Sequence, residues 1–231
     1  MKDKSLAIAF GESLKDDAIG IVSDYAEIGL DAVIEDGILK EVPIVSTAVA
    51  LYKIGNSIKE RYNLKKLYIF MNAINKGIAS KEKLEEYKHK FQSNDKFRNH
   101  EIEYLLVLID RYISYDKPEL LAKLYLAYLD EIIVWEELTI YAEIIDRFLL
   151  SDCNTLLNED KIITVYHNKG TETILRLVSL GLMVDVTDNN PFVHHGNGNI
   201  GMDWDSLMKT QSKDKVYSRT EFGDKLVQIL K

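Results

Sequence analysis

Apolar residues recur at helical spacing through most of this 231-residue chain, and short polar or glycine-containing breaks separate the runs. A first run over residues 13–36 predicts a long helix that ends at Asp36-Gly37. After Pro43 an apolar stripe continues as far as Lys76-Gly77. Further amphipathic runs begin at Ser80 and at His100, and two more over residues 118–131 and 136–150 predict a helical hairpin. The pattern therefore predicts a mainly α-helical protein.

The last sixty or so residues have a different pattern. Thr171 to Leu182 forms an amphipathic helix, and Gly181 lies where a helix end favours the left-handed conformation. Residues 183–187 then predict a short strand, and residues 215–218 predict its antiparallel partner. Thr220 begins a last helix whose inward face contains Phe222, Leu226, Val227 and Leu230.

This order of helix, "LxxLGL", ribbon, "YSRTEFGDKL" and helix resembles the C-terminal half of a winged helix-turn-helix domain. The resemblance implies a first helix at residues 138–150, a second at 153–159 and a recognition helix at 170–182. We therefore expect an N-terminal helical bundle over residues 1–134, followed by a winged-helix-like α+β domain over residues 135–231.

One segment of the helical region recurs within the chain. Leu108 to Asp116 matches Ile144 to Asp152, with an Ile-Asp-Arg core in both copies. Two copies are fewer than a solenoid requires, so they predict two similar helix–turn–helix corners. Asp116 and Asp152 each lie between two predicted helices, and we expect each to cap the helix that follows it.

Composition indicates a soluble cytoplasmic protein with a substantial core. Hydrophobic residues make up 46% of the chain, and the single cysteine, Cys153, excludes an internal disulfide bond. The apolar run from Leu6 to Phe10 is too short for the core of a signal peptide. We also expect no transmembrane segment, because no window approaches the roughly 18 uncharged apolar residues that a membrane-spanning helix needs.

Charge is unevenly distributed along the chain, which has a net charge of −8. Residues 12–41 contain nine acidic and two basic residues. Such a run is typical of a solvated helix face, and the alternative is a docking surface for a basic partner. The next segment is basic, and the two segments could pair with each other. The basic segment could instead bind phosphate, or Pro43–Lys66 could lie on a membrane surface. The candidate interaction residues of the whole chain are Lys53, Lys59, Arg61, Lys65, Lys66, Lys169, Arg176 and Arg219.

Catalytic and cofactor chemistry has little support in the sequence. Residues 196–201 match the letters of a GxGxxG dinucleotide motif, but the βαβ pattern that this motif requires is missing around them. The segment from His194 to Asp205 also contains His195 and Asp203, which are possible metal ligands, although adjacent histidines rarely reach one ion together. We expect no enzymatic activity and no cofactor, and we interpret the segment as a wing tip.

The charge of the C-terminal region favours a protein partner over DNA. Residues 139–231 contain ten Lys/Arg and thirteen Asp/Glu, and the predicted recognition helix contains only Lys169 and Arg176 as cations. A DNA reader needs several phosphate contacts merely to dock. We therefore expect a protein partner or a homo-oligomer, with nucleic acid disfavoured and peripheral membrane contact as a further possibility.

Two longer segments carry a second resemblance. "DGILKEVPIVSTAVALYKIGNSIKERYNLKKLYIF" and "LAKLYLAYLDEIIVWEEL", followed by the winged-helix-like end, resemble a scattered group of uncharacterised bacterial helical proteins, some of them in phage-defence or mobile-element settings. The resemblance implies a setting in bacterial stress or phage defence. We expect a non-enzymatic regulatory or adaptor protein that acts through protein contacts. The alternatives are a winged-helix DNA-binding transcriptional regulator and a membrane-surface effector that uses the Pro43–Lys66 helix.

Overall fold

Helices dominate the computed structural model, which describes residues 5–14, 42–52, 57–92, 96–165, 171–187 and 215–231. The prediction of a mainly helical protein is confirmed. In chain order the elements are α1 (Leu6–Ser13), α2 (Pro43–Tyr52), α3 (Ile58–Gly77), α4 (Lys81–Gln92), α5 (Lys96–Arg111), α6 (Lys117–Leu129), α7 (Trp135–Arg147), α8 (Leu150–Asn158), β1 (Ile162–Val165), α9 (Thr171–Ser179), β2 (Met183–Asp185), β3 (Lys215–Arg219) and α10 (Glu221–Leu230).

Contacts divide the chain into two units, Met1–Asp146 and Arg147–Lys231. This division falls one helix later than the domain boundary predicted near residue 134. All of α7 except its last residue belongs to the first unit, because that helix packs there at both ends. Trp135 lies 5.6 Å from the Tyr104 ring and 5.4 Å from the Tyr128 ring, and Arg111 pairs with Asp146.

The core of the first unit forms around the short helix α1. The Phe10 ring lies 4.8 Å from Phe91, 5.7 Å from Tyr125 and 6.4 Å from Phe70, centroid to centroid, so α1 brings α3, α4 and α6 together. Ser5 caps α1, because its Oγ accepts a hydrogen bond from the Ile8 N–H. Most of the long helix predicted over residues 13–36, and the acidic run, lie outside the described residues.

The apolar stripe after Pro43 forms two helices, α2 and α3. Ser57 begins α3 with a capping box: its Oγ accepts from the Glu60 N–H, and the Glu60 carboxylate accepts from the Ser57 N–H. Within α2, Ile44, Val45 and Ala48 are buried in the protein. A membrane contact through this helix would therefore need other side chains. Among the helices of the described segments, none has the length and apolar character to cross a bilayer.

The two copies of the repeated segment each span the end of one helix and the connection to the next, over residues 112–116 in the first copy and 148–149 in the second, and only one aspartate lies at its predicted position. Asp116 is the N-cap residue of α6, although its side chain makes no capping hydrogen bond to that helix. The prediction that Asp152 is an N-cap is wrong, because α8 begins at Leu150 and Asp152 lies within its first turn. From there the Asp152 carboxylate accepts a hydrogen bond from the Leu149 N–H, which precedes the helix.

The second unit contains a three-stranded antiparallel sheet in the order β1-β3-β2. Met183 pairs with Arg219 and Asp185 with Tyr217, which is the predicted pairing of the two strands. Gly181 has the predicted left-handed conformation (φ +74°) between α9 and β2. Thr220 caps α10 by accepting a hydrogen bond from the Gly223 N–H, and Leu226, Val227 and Leu230 are buried as expected.

Candidate functional site

The candidate cations of the first unit that the structure describes, Lys59, Arg61, Lys65 and Lys66, all lie on α3. Lys59 pairs with Asp110 at 3.4 Å, and Lys65 Nζ lies 4.4 Å from the centre of the Tyr115 ring. Arg61 is half-buried on the same helix. Lys53 and Lys169 lie outside the described residues. Lys59 and Lys65 therefore already have partners, at the end of α5 and in the segment that follows it.

Lys66 is buried and caps the C-terminal end of the neighbouring helix α5. Its Nζ donates hydrogen bonds to the carbonyl oxygens of Asp110, at 3.0 Å, and Tyr112, at 2.6 Å, where α5 ends. An ammonium group at a helix C-terminus satisfies unpaired carbonyls and complements the helix dipole. Lys117 does the same at the end of α7, where its Nζ donates to the Asp146 carbonyl at 2.6 Å. Lys66 is therefore a structural residue.

The buried Lys66 ammonium makes stability depend on pH. Burial lowers its pKa to about 8, with the Asp110 carboxylate opposing this shift and Lys59 adding to it. Between pH 8 and the ordinary lysine pKa of about 10.4, the unfolded chain binds more protons at this position than the folded chain does. The free energy of unfolding should therefore rise with pH there, by about 1 kcal/mol between about pH 8 and 9.5 after allowance for solvent screening.

Urea unfolding of the natural chain and of Lys66→Met at several pH values tests this dependence. We expect a smaller rise in Lys66→Met, which has a side chain of similar length without the amine. The part that remains includes the contribution of Lys117, whose pKa is also lowered by burial. Parallel pH profiles for the two proteins would contradict the assignment. Measurements should stop below the onset of tyrosine ionisation near pH 10.

A cleft of about 430 Å³ lies beside these residues in the first unit. Its apolar lining includes Leu64, Leu67 and Leu106, and its polar lining includes Lys59 and Asp110. Lys59 and Asp110 pair with each other in this lining, with 3.4 Å between Lys59 Nζ and Asp110 Oδ2. Within the described part of the chain, no group of three or more His, Cys, Asp and Glu residues is placed to hold a metal ion.

In the second unit, Arg176 is bound to a buried carboxylate. Its Nε lies 2.9 Å from Asp152 Oδ2 and its Nη2 lies 2.6 Å from Oδ1, a bidentate pair between α9 and α8. The Asp152 side chain is only 1% exposed. Burial alone raises the pKa of the Asp152 carboxyl, but the hydrogen bonds from Arg176 and Leu149 N–H outweigh it and hold this pKa below its usual value.

Arg219 is also engaged inside the second unit. Its Nε donates to Asp224 Oδ1 at 2.9 Å, and its Nη1 donates to the carbonyl oxygens of Leu156 and Glu159 at 3.1 and 3.0 Å. These contacts connect β3 with the end of α8 and the start of α10. Two of the three candidate cations of the C-terminal region therefore stabilise the fold.

The outward face of α9 is short of positive charge. Its exposed residues are Glu172, Leu175 and Ser179, spaced so that they form one stripe along the helix. The inward residues include Ile174 and Leu177, which are buried. The one cation in α9 is Arg176, and its guanidinium is held by Asp152. The helix therefore presents a carboxylate, a leucine and a hydroxyl group to solvent, together with part of the paired Arg176 side chain, which is 39% exposed.

Exposed leucines flank the ion pair between α8 and α9. Leu149 and Leu150 begin α8 and are about half exposed, as is Leu175 on α9. The Leu149 N–H and Arg176 Nε both donate to Asp152 Oδ2, so the start of α8 is fixed beside α9. We call Leu149, Leu150 and Leu175 the leucine surface.

Sequence reasoning identified Arg176 but missed its partner and the leucine surface. One signal was available: Leu175 falls off the apolar face that Ile174, Leu177, Val178 and Leu182 define. The candidate metal ligands between His194 and Asp205 and the GxGxxG letters lie outside the described residues. Comparison of the chain with protein-family models, with curated proteins and with solved structures found no match.

Proposed function

We propose that this protein is a non-enzymatic regulatory or adaptor protein that acts through protein contacts, and that its second unit is a winged-helix-like docking module. The observation that carries the proposal is the bidentate pair between Arg176 and the buried Asp152. This pair holds the guanidinium of Arg176 at the buried Asp152, although the Arg176 side chain stays 39% exposed, and the residues of the leucine surface are also exposed.

The topology of the second unit supports the winged-helix part of the proposal. One helix, α9, lies between β1 and β2 in the chain, and the antiparallel sheet has the order β1-β3-β2. In a winged helix the recognition helix leads directly into the β-ribbon of the wing. Here α9 leads into β2 through Gly181, and β2 pairs with β3. By this analogy α9 occupies the position of the recognition helix.

The charges support a protein partner for that helix. A DNA-reading helix places basic side chains toward phosphates and several polar side chains toward base edges. The outward stripe of α9 contains Glu172, and a carboxylate in that position would repel phosphate. Leu175 and the neighbouring leucines of α8 instead match the apolar centre of a protein interface.

Site-specific photocrosslinking tests the docking proposal in cells that express the protein. A photoreactive aromatic amino acid at position 175 should give a discrete crosslinked protein, and the same probe at Gln228, which is exposed on α10, should not. The Leu149→Ser, Leu150→Ser double variant should abolish the product, because it removes the rest of the leucine surface.

A product at position 175 that nuclease treatment removes would contradict a protein partner and favour the transcriptional-regulator alternative. Equal products at positions 175 and 228 would show that the leucine surface is not the docking surface. Both leucine substitutions are at exposed positions, so the variant should keep its far-ultraviolet circular dichroism spectrum.

A further inference from the structure

A second apolar surface lies in the first unit, at the corner between α6 and α7. Ile132 and Val134 are 61% and 57% exposed, while Ile133 between them is buried and anchors the corner. Glu131 has a left-handed backbone (φ +62°), and the Ile132 N–H returns to the Ala127 carbonyl at 2.9 Å. This turn directs Ile132 away from the core that α6 packs against.

Aromatic rings extend this surface onto α5. Trp135 makes edge-to-face contacts with Phe97 at 6.5 Å, Tyr104 at 5.6 Å and Tyr128 at 5.4 Å. Phe97 is about half exposed at the start of α5. Trp135 is therefore held in a fixed orientation by three rings while part of its surface stays accessible. Tryptophan and tyrosine are among the residue types that contribute most of the binding energy at interfaces.

Carboxylates outnumber cations at the corner, where Lys83 and Lys90 lie beside Asp130 and Glu131. Residues 130–137 contain four acidic residues and no lysine or arginine. Asp130 is neutralised by Lys83 at 3.0 Å. Glu131 has only a long contact of 3.7 Å with Lys90 and its side chain is 85% exposed, and Glu136 is also exposed. The surface thus combines aliphatic anchors, aromatic faces and solvent-exposed negative charge.

We propose that this corner surface binds a basic amphipathic segment of a partner protein. The surface consists of Ile132, Val134, Trp135 and Phe97, with Glu131 and Glu136 at its edge. Leucine-type side chains of the segment would cover Ile132 and Val134. Its lysine or arginine side chains would pair with the carboxylates and lie over the aromatic faces. The site is separate from the leucine surface, so the proposal stands whether or not the docking function of the second unit is correct.

Tryptophan fluorescence tests this proposal directly, because the chain has two tryptophans, Trp135 and Trp204. In a Trp204→Phe protein the emission reports on Trp135 alone. The probe is a Lys/Leu amphipathic peptide, and its control is a Glu/Leu peptide with the same pattern. We expect the Lys/Leu peptide to shift the Trp135 emission to shorter wavelength in a saturable, salt-sensitive manner, and the Glu/Leu peptide to have no effect.

Substitutions test whether the peptide binds at this corner. Replacing both Ile132 and Val134 with serine should weaken the apparent affinity about tenfold or more. Ile113→Ser, which changes an 84%-exposed side chain at the other end of α5, should leave it unchanged. The Glu131→Gln, Glu136→Gln variant should reduce the salt dependence of binding.

Several results would overturn the proposal: no shift with the Lys/Leu peptide, equal binding of both peptides, or an equal loss of affinity in Ile113→Ser. Analytical ultracentrifugation of the peptide-free protein provides the remaining test. If the protein is a dimer that the Ile132→Ser, Val134→Ser variant converts to a monomer, the surface is an interface between two copies of the chain and the proposed partner is wrong.

Discussion

Gly223→Ala should strongly destabilise the second unit, by about 3 kcal/mol, although alanine normally stabilises a helix relative to glycine by about 1 kcal/mol. A Cβ atom at position 223 would lie 2.3 Å from the carbonyl oxygen of Leu182. That oxygen cannot move freely, because it accepts a hydrogen bond from the Thr220 N–H at 3.1 Å. Helix α10 would therefore have to separate from the turn that precedes β2.

Urea unfolding measured by circular dichroism should show this loss as a lower midpoint for the second unit. Gly181→Ala is the matched control in the same unit. Its Cβ would meet no atom within 4 Å, and only the left-handed backbone (φ +74°) opposes it, at a cost of about 1 kcal/mol. If Gly223→Ala is as stable as the natural chain, or less destabilising than Gly181→Ala, the packing of α10 against Leu182 is wrong.

Arg98→Met should destabilise the first unit by about 3 kcal/mol, because it leaves a buried carboxylate without its counter-charge. The Glu101 side chain is only 1% exposed, and Arg98 Nη1 lies 2.8 Å from its Oε2. The hydroxyl group of Tyr128 also donates to this carboxylate, but a neutral donor does not replace the positive charge. The protein would have to protonate Glu101 or expose it to water.

Arg111→Met is the corresponding control on the same helix. Arg111 makes two ion pairs, with Glu143 and Asp146, but its side chain is 46% exposed. Exposed ion pairs contribute about 1 kcal/mol or less, so this variant should change the urea midpoint only slightly. Equal losses in the two variants would mean that burial of Glu101 does not determine the effect.

Most helices could be predicted from the sequence, because each buries one apolar face and the periodicity of that face is local information. The start of a separate helix α3 could also have been predicted, because Ser57 and Glu60 have the spacing of a capping box. The prediction missed it because the apolar stripe continues on both sides. The start of α8 was misplaced for a related reason: an aspartate inside the first turn resembles an N-cap in sequence.

The roles of the candidate cations could not be predicted, because they depend on contacts between distant residues. Lys66 has the sequence context of an exposed basic residue, and only the packing of α3 against the end of α5 buries it. Arg176 lies on the polar side of an amphipathic helix, and its partner Asp152 is on another helix. Charge counting overestimated the basic surface because it treats paired and unpaired side chains alike.

The same limit explains why the two proposed docking surfaces emerged from the structure. An isolated exposed leucine or isoleucine is common on protein surfaces. It indicates a binding surface only when further exposed apolar residues lie next to it. Leu149 and Leu175 become a surface because Asp152 binds both the Leu149 N–H and Arg176. Ile132 and Val134 form part of a surface because Trp135 and its neighbouring rings lie beside them.

Fluorescence anisotropy with labelled duplex DNA tests the central claim, that the second unit docks to protein, most directly. The natural chain should be used, because an Arg176 substitution would disturb the Asp152 pair and change folding together with binding. We predict no saturable binding at about 50 mM salt, where phosphate contacts are strongest. Saturable binding that weakens steeply by about 200 mM salt would contradict the account and identify α9 as a DNA-reading helix.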